Sequence, residues 1–316
     1  MENYVAILPG RKHGRALSRL AVAAVAAALV GTGVGAAAAD APDPVPAPVK
    51  NVEVGAAAKA APKLRAAAQA DAPVFGLYGV ERSSGFLYEY IPNGVGGYEG
   101  RTFAGADWDT IRSATQVDQN GDGLGDGLWA WDYAGKLYYA DATTVDEART
   151  IGGGWNIYNK VLSPGNLGGA AASDILARDN AGVLWLYLGY PNGNADPRIK
   201  ISAGWGGYTQ ISGKGDLTGD GKADIVAQDS SGVLWLYKGT GNYKAPFTSR
   251  VKLGAGWNAY NTLISTGDVD IDGHADLLAR GTDGKLWLYK GTGNATTPLA
   301  SRKLIGSGFN IYSWMF

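Results

Sequence analysis

The chain has no cysteine and only two histidines, His13 and His274. Without cysteine there is no disulfide, no thiol nucleophile and no thiolate zinc site, and with one histidine outside the N-terminal region, nucleophile–histidine catalysis has little to work with. Also missing is an apolar run of the ~20 residues that a bilayer span requires. The longest, Leu20 to about Gly35, is alanine-rich and short. It follows Arg11, Lys12, Arg15 and Arg19 and precedes Ala37, Ala38 and Ala39, the layout of a secretory signal over residues 1–39 with cleavage before Asp40. That segment carries four of the 28 basic and one of the 29 acidic residues, so the remainder holds 24 against 28 and is mildly acidic. No basic cluster follows it, which excludes phosphate-backbone binding to nucleic acid. The expectation is an exported, extracellular monomer with no membrane attachment after signal removal.

Residues 40–72 are alanine- and proline-rich, with too few large apolar side chains to build a core, and read as a disordered spacer or pro-segment. From Pro73 the composition changes. The chain as a whole holds 48 glycines, 10 tryptophans and 17 tyrosines. Glycine breaks helices, and aromatic side chains suit a pleated, half-buried surface, so the expectation is all-β.

One stretch, Asp268 to Tyr289 (DVDIDGHADLLARGTDGKLWLY), recurs at Asp216–Tyr237, Asn166–Tyr187 and Asp118–Tyr139, and its strand half recurs at Phe75–Tyr90. A glycine before the aromatic strand falls at Gly85, Gly135, Gly182, Gly232 and Gly284, and the aromatic that opens each unit falls at Trp108, Trp155, Trp205, Trp257 and Phe309. A period near fifty residues with four strands per unit, apolar on both strand faces, describes a β-propeller whose blades cover one another. The first copy lacks the opening strand and the last copy is that strand alone. Joined, they complete a fifth blade, so the fold expected over 73–316 is a five-bladed β-propeller closed by its C-terminal strand.

Acidic loop, apolar strand and G-x-LWLY together resemble the FG-GAP, or VCBS, repeats of integrin α chains and many exported bacterial proteins. The count of five also resembles the tachylectin type of propeller lectin. Among exported, alanine-led actinobacterial repeat proteins, the chain is similar to those of the dispase autolysis-inducing type.

Calcium takes six to eight oxygens, and a loop with carboxylates at alternate positions and a glycine at the turn can wrap it. Three loops fit: Asp268, Asp270, Asp272 and Asp276 with the His274 carbonyl; Asp216, Thr218, Asp220 and Asp224 with the Lys222 carbonyl; Asp118, Asn120, Asp122 and Asp126 with the Leu124 carbonyl. Up to three calcium sites are therefore expected. In the loop at Asn166, Gly168 and Ala170 replace two ligands, and no metal is expected there.

Asp179, Asp229 and Asp283 recur at one turn position, whereas an active site needs residues that converge once. Catalysis is therefore not expected, and a glycosidase is the enzyme class that paired carboxylates would allow. Mid-strand Trp185, Trp235 and Trp287 read as inter-blade core. The blade-start rings, Trp155 with Tyr158, Trp205 with Tyr208 and Trp257 with Tyr260, read as core too, but, lying near a strand end, also as candidate sugar platforms. The functional expectation is a calcium-binding module for glycan or cell-wall polymer. The rival is a protein-interaction module, acting on a secreted protease or serving as a crosslinking substrate through Lys63 and Gln69.

Overall fold

The computed structural model describes residues 72–141, 148–170 and 172–316. The expected signal, and the spacer as far as residue 71, lie outside the described residues, as do Lys63 and Gln69. Among the described residues no helix is long and apolar enough to cross a membrane.

Twenty strands form five four-stranded antiparallel sheets. The first blade joins β20 (Tyr312–Met315) to β1 (Leu77–Glu81), β2 (Leu87–Tyr90) and β3 (Thr102–Gly105). The second runs from β4 (Ile111–Val117) through β5 (Gly127–Asp132) and β6 (Leu137–Asp141) to β7 (Arg149–Gly152). The third comprises β8 (Tyr158–Gly165), β9 (Asp174–Asp179), β10 (Leu184–Tyr187) and β11 (Ile199–Ser202). The fourth has β12 (Tyr208–Ser212), β13 (Ile225–Asp229), β14 (Leu234–Tyr237) and β15 (Val251–Gly254); the fifth has β16 (Tyr260–Ile264), β17 (Leu277–Gly281), β18 (Leu286–Tyr289) and β19 (Lys303–Gly306). This is the five-bladed propeller that the repeat pattern requires, with the last strand completing the first blade. The strands β4, β8, β12, β16 and β20 line the axis.

The alternation in LWLY explains the packing. Leu184 and Leu186 are fully buried and join Ile211, Ile225 and Ala227 of the next blade in one cluster. The equivalent leucines of the fourth blade meet Leu263, Leu277 and Ala279 of the fifth. Each such leucine contributes about 1.5–3 kcal/mol relative to exposure. Sheet against sheet, five times around, is the core.

Each blade opens with a single 3-10 turn. It begins after a residue in the left-handed region, Gly154, Gly204, Gly256 and Gly308 in four blades and Asp107 in the second. Polar staples then join neighbouring blades. Arg178 of the third blade donates to the Trp205 and Tyr208 carbonyls of the fourth. Arg280 of the fifth donates to the carbonyls of Phe309 and Tyr312, both at 3.1 Å, so it clasps the closing strand. In the fourth blade Gln228 holds Gln210, which donates to Tyr260 O.

On the face that carries the acidic loops, the stretch Pro73–Phe75, which leads into the first blade, bridges the two blades that flank it. Val74 N donates to Gly123 O of the second blade, Asp268 N donates to Pro73 O, and Phe75 N donates to Thr266 O of the fifth. The approach is so close that a Cβ on Gly267 would lie 1.6 Å from Pro73 O, which requires glycine there.

One buried acid strains this frame. Glu89 is 1 % exposed, accepts the Tyr78 hydroxyl at 2.8 Å, and leaves Oε2 without a partner. Burial pushes its carboxyl from 4.5 up to about 7. The folded pKa lies above the unfolded one, so the carboxyl costs nothing below about pH 4.5. The penalty grows as pH rises and is complete near pH 7. A shift of this size corresponds to about 3 kcal/mol. Glu89→Gln is therefore expected to flatten the fall in stability between these pH values, read by urea denaturation across the range; an unchanged slope would refute it.

Candidate metal centre

Each acidic loop joins the axial strand of a blade to its second strand. The Asp268 loop is built around two carboxylates that hold its backbone. Asp268 Oδ1 accepts the amides of Ile271 (2.7 Å) and Asp272 (3.1 Å), and its Oδ2 accepts Gly273 (2.7 Å). Asp276 Oδ2 accepts Val269 N at 2.9 Å, and its Oδ1 reaches the next loop of the blade, accepting Gly291 N at 2.7 Å. The Asp216 loop repeats this pattern: Asp216 accepts Thr218, Gly219 and Gly221, and Asp224 accepts Leu217 and Gly239. Asx-type turn chemistry thus shapes the loops from within.

In both loops three carboxylates converge with one oxygen of each within 4.8 Å of the others: Asp268, Asp270 and Asp276, and Asp216, Asp220 and Asp224. Burial pushes Asp276 up to about 8, with the charge of Asp270 adding, against the pull of its two amides. Burial likewise pushes Asp224 up to about 7 and Asp268 to about 6. Clustered buried carboxylates disfavour their own charge, and a cation among them would reverse that.

Asp270 carries the decisive detail. It accepts no backbone amide among the described residues; Lys290 Nζ pairs with its Oδ2, while Oδ1 is buried and has no partner. An orphaned carboxylate oxygen beside two further carboxylates fits a hard divalent cation such as calcium. Asp268, Asp270 and Asp276 would hold it in this loop, and Asp216, Asp220 and Asp224 in the preceding one. Asp272 stands outside the trio, and its Oδ1 accepts His274 N at 3.1 Å. The His274 ring lies against the backbone of Gly293. Thr218 is buried, and its hydroxyl donates to Asp216 Oδ1. Lys222 lies beside the Gly239–Gly241 loop.

The third expected loop is arranged differently. Asp118, Asp122 and Asp126 do not converge as the other two trios do. Asp118 accepts Gly121 and Gly123, Asp126 accepts Gln119 and Asn120, and Asp122 caps Leu124 N and takes the Asn120 side-chain amide. Asp118 and Asp126 thus hold their loop as Asp268 and Asp276 do; it is Asp122 that is engaged with Leu124 N and Asn120, and Leu124 packs against Val74. In the loop at Asn166, Asp174 keeps the bonds to Leu167, Gly168 and Gly189 although the other carboxylates are gone. The ninth position is therefore structural whether or not a cation is held.

The blade-start rings take the core reading and not that of sugar platforms. Trp155, Trp205 and Trp257 are buried, each packed on the tyrosine that ends LWLY, with centroids 4.8, 4.5 and 4.6 Å apart. Tyr158, Tyr208 and Tyr260 are buried as well, hydrogen-bonded to Tyr187, Tyr237 and Tyr289. None of the six offers a free ring face to a sugar, because each fills the seam between blades. Trp185, Trp235 and Trp287 are half-buried: each packs against the inter-blade cluster at the seam with the preceding blade, as expected, and Arg198, Arg250 and Arg302 cover them at 4.0–4.2 Å. The missed signal was the arginine, which recurs 13 to 15 residues after each mid-strand tryptophan.

A family model for FG-GAP-like repeats matches residues 216–279, the fourth blade's acidic loop through the fifth blade's second strand. No curated protein matches the chain by sequence. Among solved structures it is similar to the BP39L lectin from Burkholderia pseudomallei, at 12% identity and TM-score 0.47 over 73% of this chain and 71% of that one. It is similar to the calcium-binding protein regucalcin from Agrobacterium tumefaciens, at 10% identity and TM-score 0.38 over 74% and 75%. It is also similar to BBS1N, solved in complex with ARL6DN, at 13% identity and TM-score 0.37 over 74% and 67%.

Proposed function

We propose that this FG-GAP-repeat propeller is an exported, non-catalytic binding module whose acidic-loop face is stiffened by calcium in the loops at Asp216 and Asp268. The observation that carries the metal reading is Asp270 Oδ1, buried without a partner beside Asp268 and Asp276. Bound calcium supplies two positive charges and fixes the loop oxygens in one geometry.

The loops would pass that stiffness around the ring, because they touch. Ser173 of the third blade bonds Asp118 and Gln119 of the second, Gly215 N donates to Pro164 O, and Ala275 N donates to Asp216 O. A non-catalytic role is supported by where the other acids sit. Asp179 and Asp229 accept amides of their own turns and the indole N–H of Trp185 and Trp235, while Glu81 pairs with Arg101.

For the ligand, a protein is favoured over glycan. The rings a sugar would stack on are buried, whereas the loops that follow the third strand raise Val95, Tyr190 and Tyr243 into solvent on the acidic-loop face, 70, 46 and 38 % exposed. Exposed tyrosines on rigid loops are common anchors for protein partners. The calcium-loaded chain is expected to retain an extracellular protein in a pull-down, and Tyr190→Ala with Tyr243→Ala to release it. Binding on a glycan array without protein capture would reverse the assignment, and hydrolysis of any polysaccharide in a panel would overturn the non-catalytic reading.

A further inference from the structure

The residue that follows LWLY, or its counterpart in the first two blades, varies: Ile91, Asp141, Leu188, Lys238 and Lys290 in chain order. Lysine occurs there in the two blades whose carboxylates converge, the fourth and the fifth. In the third blade, where the loop has lost two carboxylates, a Cβ on Gly168 would meet Leu188 Cδ2 at 2.4 Å, so leucine fills the space over an uncharged loop. Loop and neighbour change together from copy to copy, which makes the five blades a comparison series within one chain.

The contacts say what the lysines do. Lys290 Nζ pairs with Asp270 Oδ2, and Lys238 Nζ with Asp220 Oδ2 at 3.3 Å. The Asp270 side chain is 3 % exposed but that of Lys290 is 41 % exposed. The acid is fixed in the loop, and the ammonium reaches in from solvent on a flexible stem that can withdraw. One ammonium satisfies one oxygen and leaves Asp270 Oδ1 bare.

We infer that Lys290, and Lys238 in the preceding blade, is a tethered counter-ion that occupies the acidic loop until a divalent cation displaces it, and so sets the loop's affinity. The inference rests on the calcium reading given above. A cation must expel an ammonium to enter, which weakens its binding. When the cation leaves, the lysine returns, and the loop is not left with three uncompensated acids. The device gives a propeller that stays folded without calcium and responds to it over a higher concentration range than its carboxylates alone would allow.

The test is calorimetric titration of the full chain with CaCl2, for the wild type, Lys290→Met, Lys290→Arg and Lys238→Met, with thermal melting of each in chelator. Methionine keeps the apolar stem and removes the charge. Lys290→Met is expected to bind calcium at one site about five- to tenfold more tightly, the size of a partly exposed ion pair, while melting lower than wild type in chelator. Lys290→Arg should bind as wild type does, and Lys238→Met should tighten the other site. Calcium uptake with equal affinity by all four forms would overturn the inference and leave the calcium reading standing. No uptake by any form, the charge-deleted ones included, would overturn the calcium reading and the inference with it.

Discussion

Asp276→Ala is expected to destabilise the chain by about 3–5 kcal/mol even without calcium, because it strips the partners from two buried amides. Asp276 is 1 % exposed, and its two oxygens tie Val269 of its own loop to Gly291 at the end of the third strand. Each amide left bare in the interior costs about 1–3 kcal/mol. Asp174→Ala provides the comparison, since Asp174 makes the same bonds in a loop that has lost its other carboxylates. Urea denaturation in chelator should show similar losses for both. A large loss for Asp276→Ala that vanished in chelator would mean that the residue acts through the cation alone.

Arg280→Met should have the other large effect, about 3–5 kcal/mol, the range for removing one side of a buried, charge-assisted network. The guanidinium is 7 % exposed, and its four bonds tie the fifth blade to the closing strand, which is joined to β1 by hydrogen bonds alone. Within the fifth blade it donates to Asn261 Oδ1 at 3.0 Å and Thr262 Oγ1 at 2.9 Å, and across the seam to Phe309 O and Tyr312 O. Tyr312 in turn sits on Gly79 and bonds Tyr90, so the closing strand is held by side chains from both flanks. Hydrogen exchange should show β20 and β1 losing protection first in Arg280→Met. Uniform loss across all blades, or no loss, would contradict this account of closure.

The architecture was readable because a propeller repeats its reasons. Glycine, LWLY and the opening aromatic return at near-constant spacing, and three strands at one end of the repeat region with a lone strand at the other allow one closure. The site was readable only in part. Carboxylates at alternate positions mark Asp268 and Asp118 equally well, yet only the former converges with its neighbours. The outer acids hold loop amides in both, so the difference lies in the acid between them: Asp122 caps Leu124 N and takes the Asn120 amide, whereas Asp270 holds no loop amide among the described residues, and spacing does not report that. The tryptophans were legible only in part for a related reason. Alternation along a strand tells which side chains share a face, but not how fully each face is covered: the leucines of LWLY are sealed in one seam, while the tryptophans lie half-buried on the preceding seam under arginines. The strap at Pro73–Phe75 left a trace only in Gly267, whose need for glycine becomes visible once Pro73 O lies against it.

Asp270 separates the metal from the fold most cleanly, because it holds no loop amide among the described residues and its removal should leave the apo propeller intact. The decisive measurement is therefore the calcium stoichiometry of the full chain beside Asp270→Asn, by calorimetric titration near neutral pH. Two sites per chain, falling to one in Asp270→Asn with an unchanged melting temperature in chelator, is the predicted result. No uptake by the wild type, or two sites retained in Asp270→Asn, would contradict it.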